Sequence, residues 1–371
     1  MIKILNIVKY YEPSQGGMES VVKDIVEGVN SIALDTSFTV YSNSHTNSHK
    51  TEIRHKDERI TIVKEATPFY FKSQPLSLGY KSLKRLISEN DVIHHHYPFP
   101  TMEMALLLLS GRFKNKRLVV TWHANIKNSR WKWIQSFYNP LIKRLLNRAD
   151  KIIVTSPKLF EASDILKDYG NKVAVIPLSF NPKYETSESK KFPENREFEL
   201  LFVGRFRLYK GLEFLLKAIE NLPVKLTLVG SGEEQAALES IADNLKIKDK
   251  LRILNNVSDE DLHTIYRNSD LFILPSINEA EAFGVVQLEA MANALPVINT
   301  NLESGVPFVS LDGESGFTVE PKNAFALREA INKIITNKEL YELLSHNALK
   351  RIQLFSRSTM CNSYLEVYKN D

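Results

Sequence analysis

The chain has 371 residues, 43% of them apolar and 25% charged, an ordinary globular composition too long for one comfortable hydrophobic core, so two domains are expected. Its single cysteine, Cys361, excludes an intrachain disulfide and fits a reducing cytoplasm. The net charge of +4 divides unevenly: residues 1–183 carry +11 and the remainder −7, so the two halves are expected to meet different partners.

The opening MIKILNIVKYY is broken by Asn6 and Lys9 and lacks a small-residue cleavage site, so it reads as a buried strand and not a signal peptide. The longest aliphatic run, ALLLL at 105–109, is too short to cross a bilayer. Strands are predicted at 2–8, 36–41, 60–64, 91–95, 117–121, 151–154 and 172–176, with helices at 18–30, 76–88, 134–147 and 157–167. The polar stretch 185–198 reads as a linker. Beyond it, strands are predicted at 198–203, 224–229, 250–254, 270–274 and 296–299, alternating with helices near 211–220, 233–245, 258–268, 284–293 and 324–335. The tail, 338–368, is helical by pattern and has no partner strand. This alternation predicts an α/β protein with two doubly wound parallel sheets.

In such sheets ligands sit beyond the carboxyl ends of the strands. LLFVGRFRLYKG places Arg205 and Lys210 just after a strand, where two cations suit a diphosphate. LVGSGEE gives Ser231 and Glu234 the spacing of a capping box, and NNVSDEDL offers Ser258 as an N-cap, with Val257 in the adjoining loop. INEAEAFGVVQLEAMA is more informative. None of Glu281, Ala282 and Phe283, which precede a helix starting near Gly284, is a favoured N-cap. That helix start is suited to an anion, Gly284 allows close approach, and Glu281 and Glu289 offer two carboxylates to sugar hydroxyls.

In the first half, Gly16-Gly17 lies at the mouth of the first strand, but without the GxGxxG spacing of dinucleotide binders. His123 follows another strand end. His94 and His96 invite a metal reading that lacks a third clustered ligand. Residues 112–149 carry ten Lys+Arg and no acid, with aromatics interleaved. Arg130, Trp131, Lys132, Trp133, Lys143, Arg144 and Arg148 suit an anionic membrane surface. The alternative is a solvated basic helix whose aromatics are core. No recognised nucleic-acid motif accompanies the basic stretch.

Together these stretches resemble the retaining glycosyltransferases of family 4. PSINEAEAFGVVQLEAMANALPVI resembles the family's E-x7-E motif and its continuation, with Ala294 where glycine is usual. GRFRLYKG resembles the basic diphosphate motif, and GGMES the N-terminal glycine-pair loop. TWHANI…FYNPLIKRLLNRADKIIVTSP resembles a bacterial subgroup of mannosyl- and rhamnosyltransferases of surface-polysaccharide synthesis, with Asn125 where that subgroup often has Asp.

The resemblance implies the GT-B architecture, two facing Rossmann-like domains. Residues 1–184 would form the acceptor-side domain, joined by a C-terminal helix at about 355–371, and 199–354 the nucleotide-sugar domain. Arg205 and Lys210 would neutralise the donor diphosphate, approached by Gly16 and Gly17. Glu289 would hold the ribose, and Glu281 and His123 the transferred sugar. Backbone at Phe283, Gly284 and Val285 would meet sugar and phosphate, with Val257 near the base. Neither cofactor nor metal would be needed. The implied partners are a GDP-sugar donor and a lipid-linked saccharide acceptor on the inner face of the cytoplasmic membrane, with no nucleic acid. A UDP-sugar enzyme of the same fold, a nucleotide-sugar epimerase or phosphorylase, and a non-catalytic scaffold are the alternatives.

Overall fold

Short β-branched and aliphatic runs become strands here because both faces of each sheet are covered, which suits continuous apolar sequence better than alternation. The computed structural model describes residues 1–371 except 14–16, 72–73, 78–79, 126–134, 181–182, 184 and 370–371. The chain divides into two units. Met1–Pro177 with Arg357–Asp371 forms the first, and Leu178–Ser356 the second.

The first unit holds β1 (Ile2–Ile7), β2 (Thr36–Asn43), β3 (Glu52–His55), β4 (Ile60–Glu65), β7 (Val92–Tyr97), β8 (Arg117–Trp122), β9 (Lys151–Val154) and β10 (Val173–Val175), with β5 (Phe69–Phe71) and β6 (Gln74–Leu76) as a separate short ladder. The eight-stranded sheet runs β10-β9-β8-β7-β1-β2-β4-β3. All its pairings are parallel except β3 on β4, an antiparallel edge strand that the sequence pattern does not predict. Chain order reverses between β1 and β7, the switch point of this sheet. β7 is buried throughout, yet reads VIHHHY, with His94 in register with Asn6 and Val119, His95 with Ile7 and Val120, and His96 with Thr121.

The C-terminal helix Arg357–Lys369 packs on helix Gly17–Ile32, and Cys361 Sγ lies 2.2 Å from where a Cβ on Gly28 would stand. A glycine is therefore what lets these helices approach. Tyr364 and Tyr368 of the same helix are buried beside His94. The predicted tail helix is in fact two, Lys338–Ile352 and Arg357–Lys369, broken where the backbone at Ser356 turns extended.

The second unit contains β11 (Phe198–Val203), β12 (Val224–Val229), β13 (Leu251–Leu254), β14 (Leu271–Leu274), β15 (Val297–Thr300) and β16 (Gly316–Val319). The order β13-β12-β11-β14-β15-β16 is parallel throughout and reverses between β11 and β14, the Rossmann pattern. The polar stretch 185–198 lies in this unit. Thr186 N donates to Ala292 O at 2.8 Å, Lys190 N donates to Ser345 Oγ at 2.7 Å, and the Phe192 ring packs edge-on against Phe198 and Tyr341.

Candidate active site

In the second unit, the loops after β11 and β14 meet at the switch point, tied by Ile277 N donating to Tyr209 O at 2.8 Å. Gly211 (φ +64°) allows this, since a Cβ there would stand 2.2 Å from Pro275 O. The loops bring Lys210 Nζ onto Glu281 Oε2 as a buried ion pair, and Ser276 Oγ donates to the same carboxylate oxygen at 3.0 Å. Lys210 Nζ also lies 5.4 Å from the Tyr209 ring centre. Burying two charges costs several kcal/mol per ion and is offset only by close pairing with further hydrogen bonds. Such a pair gives little net stability, but it holds a fixed ammonium at the strand ends. Arg205 is exposed and makes no ion pair among the described residues.

The β12 loop behaves differently from its sequence reading. Ser231 and Glu234 form no capping box: Glu234 is itself the N-cap residue of helix Gln235–Asn244, with no side-chain cap. Its amide instead donates to Phe206 O at 3.2 Å, drawing this loop onto the one after β11. Ser258 does cap helix Asp259–Asn268, accepting from Asp261 N at 3.1 Å, and Val257 in the preceding turn is half-buried.

Helix Val285–Ala292 begins at Gly284 (φ +72°) with no side-chain cap, as the sequence predicts. A Cβ on Gly284 would lie 2.6 Å from Leu274 Cδ2 in an already left-handed residue, so only glycine fits. Phe283 is buried and Val285 half-buried. One turn and a half along, Glu289 is half-buried and accepts a 2.8 Å hydrogen bond from the Tyr266 hydroxyl. Burial pushes the Glu289 carboxyl up to about 7, against the opposing pull of the Tyr266 hydroxyl and the Lys183 ammonium, while Asp259 raises it further. Past the helix, Ala294 adopts φ +61° and is fully buried, so the turn keeps the left-handed geometry natural to glycine.

In the first unit, His123 sits just beyond β8, its amide donating to Tyr97 O at 3.1 Å. Its Nε2 is 3.0 Å from His96 Nδ1. Burial, then repulsion from His95, pushes the His123 imidazole down to about 4, so it is neutral near pH 7. His94 is bonded to Tyr368 and Thr121, and His95 to Glu103. His94 and His95 are structural hydrogen-bonders, and among the described residues no three His, Cys, Asp or Glu side chains are grouped to hold a metal. Asn125 links the Trp122 indole to Leu159 O, a scaffold role. Gly17 opens helix Gly17–Ile32 and is exposed. Gly16, Arg130, Trp131, Lys132 and Trp133 lie outside the described residues.

The basic helix Gln135–Arg148 divides its cations by role. Lys143 pairs with Asp168 at 3.0 Å, and Arg148 donates to the carbonyls of Phe113, Lys114 and Lys116, closing that turn. Of these three cations only Arg144 makes no ion pair among the described residues. With Lys114 and Arg148 it lines a groove of about 580 Å³, together with Met104, Leu107, Leu108 and Leu141. Leu108 is 85% exposed and Met104 52%, an apolar face that sequence reading missed because helix Pro100–Leu108 was not predicted. Among the described residues no helix is long and apolar enough to cross a membrane. Ser276 and Tyr266 were also missed. Ser276 was open to discovery, since it follows a strand end at the switch point; Tyr266 reaches Glu289 only through packing between two helices.

Comparison with known proteins agrees with this architecture. Residues 15–184 match Glycosyltransferase Family 4, and residues 184–351 match Glycosyl transferases group 1. The chain is 31% identical to the O-antigen chain mannosyltransferase C of Escherichia coli, over 99% of this chain and 98% of that one. It is 30% identical to the D-rhamnosyltransferase WbpZ of Pseudomonas aeruginosa, over 96% and 92%. Among solved structures, a sucrose-phosphate synthase from Thermosynechococcus elongatus superimposes with a TM-score of 0.77 at 22% identity, covering 100% of this chain and 98% of that one. With two Rossmann-like sheets in the GT-B fold and full-length relatives of this kind, the chain belongs to the family 4 glycosyltransferases and is a glycosyltransferase.

Proposed function

We propose that this enzyme transfers a hexose, mannose or a related sugar, from a GDP-sugar onto a lipid-linked saccharide in bacterial O-antigen, capsule or other surface-polysaccharide synthesis. The names of its mannosyl- and rhamnosyltransferase relatives support the sugar and the setting. The observation that carries the chemistry is the buried Lys210–Glu281 pair, bonded by Ser276 at the switch point of the second sheet.

In this reading Lys210 and Arg205 neutralise the donor diphosphate, and Gly16 and Gly17 approach it. Backbone at Phe283, Gly284 and Val285 meets sugar and phosphate at the uncapped helix start. Glu289 accepts from the ribose hydroxyls, the Val257 loop lies near the base, and Glu281 and His123 contact the transferred sugar. The anomeric carbon–oxygen bond to the diphosphate breaks, and the acceptor hydroxyl oxygen bonds to that carbon on the same face, with retention. The acceptor's proton passes to the departing phosphate oxygen. Catalysis is chiefly electrostatic, from cations held where negative charge develops, and needs no metal.

The enzyme works as a peripheral protein on the inner face of the cytoplasmic membrane. The apolar groove lined by Lys114, Arg144 and Arg148 supports contact with an anionic surface; Arg148 is also held by backbone carbonyls, and Lys143 by Asp168.

Calorimetric titration of wild type and Glu289→Ala with GDP, UDP, GDP-mannose and UDP-sugars tests the donor site. The expected result is selective binding of GDP and GDP-mannose, weakened at least roughly tenfold in the variant by loss of charge-assisted hydrogen bonds. Selective UDP binding overturns the GDP assignment, and no binding at millimolar ligand moves a scaffold role to the front.

A further inference from the structure

The carboxyl ends of three neighbouring strands, β1, β7 and β8, carry a connected set of polar side chains. Asn6 of β1 and His96 of β7 are both fully buried, and His96 Nε2 lies 3.1 Å from Asn6 Oδ1. On the other side of the same ring, His96 Nδ1 lies 3.0 Å from His123 Nε2, and the two imidazoles stack at 21° with centres 5.3 Å apart. The parallel ladders joining these strands and the His123 amide bond to Tyr97 O fix the spacing.

Burial keeps the His96 and His123 rings neutral near pH 7. A neutral imidazole carries one N–H and one lone pair. The Asn6 amide is oriented with its oxygen towards the His96 ring; in that orientation it only accepts, so His96 holds its proton on Nε2, which leaves His96 Nδ1 as an acceptor. The bond to His123 Nε2 then requires the proton of His123 to be on Nε2. The lone pair of His123 is thereby placed on Nδ1.

We propose that Asn6 and His96 are positioning residues that lock His123 in its Nε2–H tautomer, so that its remaining ring nitrogen, Nδ1, can only accept a hydrogen bond. Such a nitrogen suits a donating sugar hydroxyl and rejects the acceptor-only oxygens of phosphate or carboxylate. The tautomer follows from this unit alone, and its meaning for sugar recognition rests on the proposed function. Breaking the relay leaves His123 free to move its proton to Nδ1, where it would repel part of the hydroxyl geometry it now favours.

The test is nitrogen-15 NMR of the full chain labelled at histidine, with the rings assigned through His123→Gln and His96→Gln. In wild type, His123 should show a protonated Nε2 and an unprotonated Nδ1 without any sugar present. In Asn6→Leu, which removes the acceptor, the His123 tautomers should mix, and Asn6→Asp should restore the single form. If Asn6→Leu does not fold, Asn6→Ala removes the same acceptor. Transfer measured as kcat/KM should fall roughly fivefold to tenfold in the acceptor-less variant, as for the loss of one hydrogen bond. Its affinity for GDP, which carries no sugar, should stay unchanged. A wild-type His123 protonated on Nδ1, or a tautomer indifferent to removal of the Asn6 acceptor, overturns the proposal. Because these spectra need no donor, they separate its failure from a failure of the GDP-sugar assignment, which shows as absent GDP binding.

Discussion

Replacing Glu289 by Gln should stabilise the protein at pH 8 and scarcely change it at pH 5. The carboxyl is raised from 4.5 to about 7, chiefly by burial, a difference corresponding to at most about 3 kcal/mol at 1.36 kcal/mol per pH unit. Because the folded value lies above the unfolded one, the folded protein holds the proton more tightly than the unfolded chain. Stability therefore falls as pH rises from about 4.5 to about 7, and above that window the full cost of an ionised, half-buried carboxylate is present. Glutamine cannot ionise, and its amide oxygen can still accept from the Tyr266 hydroxyl, so the variant escapes the cost without losing that bond. The assay is urea unfolding of the full chain at pH 5 and pH 8, followed by far-ultraviolet circular dichroism. All three tryptophans precede residue 178, so their fluorescence follows only the first unit. Hydrogen exchange across helix Val285–Ala292 locates the gain. Equal stability changes at the two pH values, or a destabilised variant at pH 8, would refute the reasoning.

The same group should make GDP affinity rise between pH 6 and pH 8, because the ionised form is the stronger acceptor for ribose hydroxyls; calorimetry at the two pH values checks this. Lys210→Met leaves Glu281 buried without its cation and should cost about 3–5 kcal/mol in urea unfolding. The double variant Lys210→Met with Glu281→Gln should recover most of that stability but none of the transferase activity. Ala294→Gly should stay within about 1 kcal/mol of wild type, since relief of left-handed strain offsets the lost methyl and the greater freedom of the unfolded chain. Ala294→Val, β-branched in a fully buried left-handed site, should lower the thermal midpoint markedly. Lys114→Glu with Arg144→Glu should reduce sedimentation with anionic liposomes at unchanged stability, whereas Arg148→Glu should destabilise the fold by breaking three carbonyl bonds.

Much of the fold is legible from local pattern alone. The strands Phe198–Val203 and Val224–Val229 and the helix Ala324–Ile335 fall where the sequence puts them, because buried parallel strands and amphipathic helices each leave a periodic mark. The edge strand Glu52–His55 leaves none, since all four of its residues are exposed. Helix Pro100–Leu108 escapes notice because it is apolar nearly all round, so periodicity cannot separate it from a strand.

The sequence by itself determined two doubly wound halves, the motif that names the family, and an uncapped helix start at Gly284, because each depends on residues close together in the chain. Only the tertiary structure decided that Lys210 meets Glu281, that Tyr266 meets Glu289, and that Asn6, His96 and His123 form one relay. Lys210 and Glu281 stand 71 residues apart and Asn6 and His96 90. Strand order brings them together at the two switch points, and strand order is set by how the sheets pack, which no local pattern records.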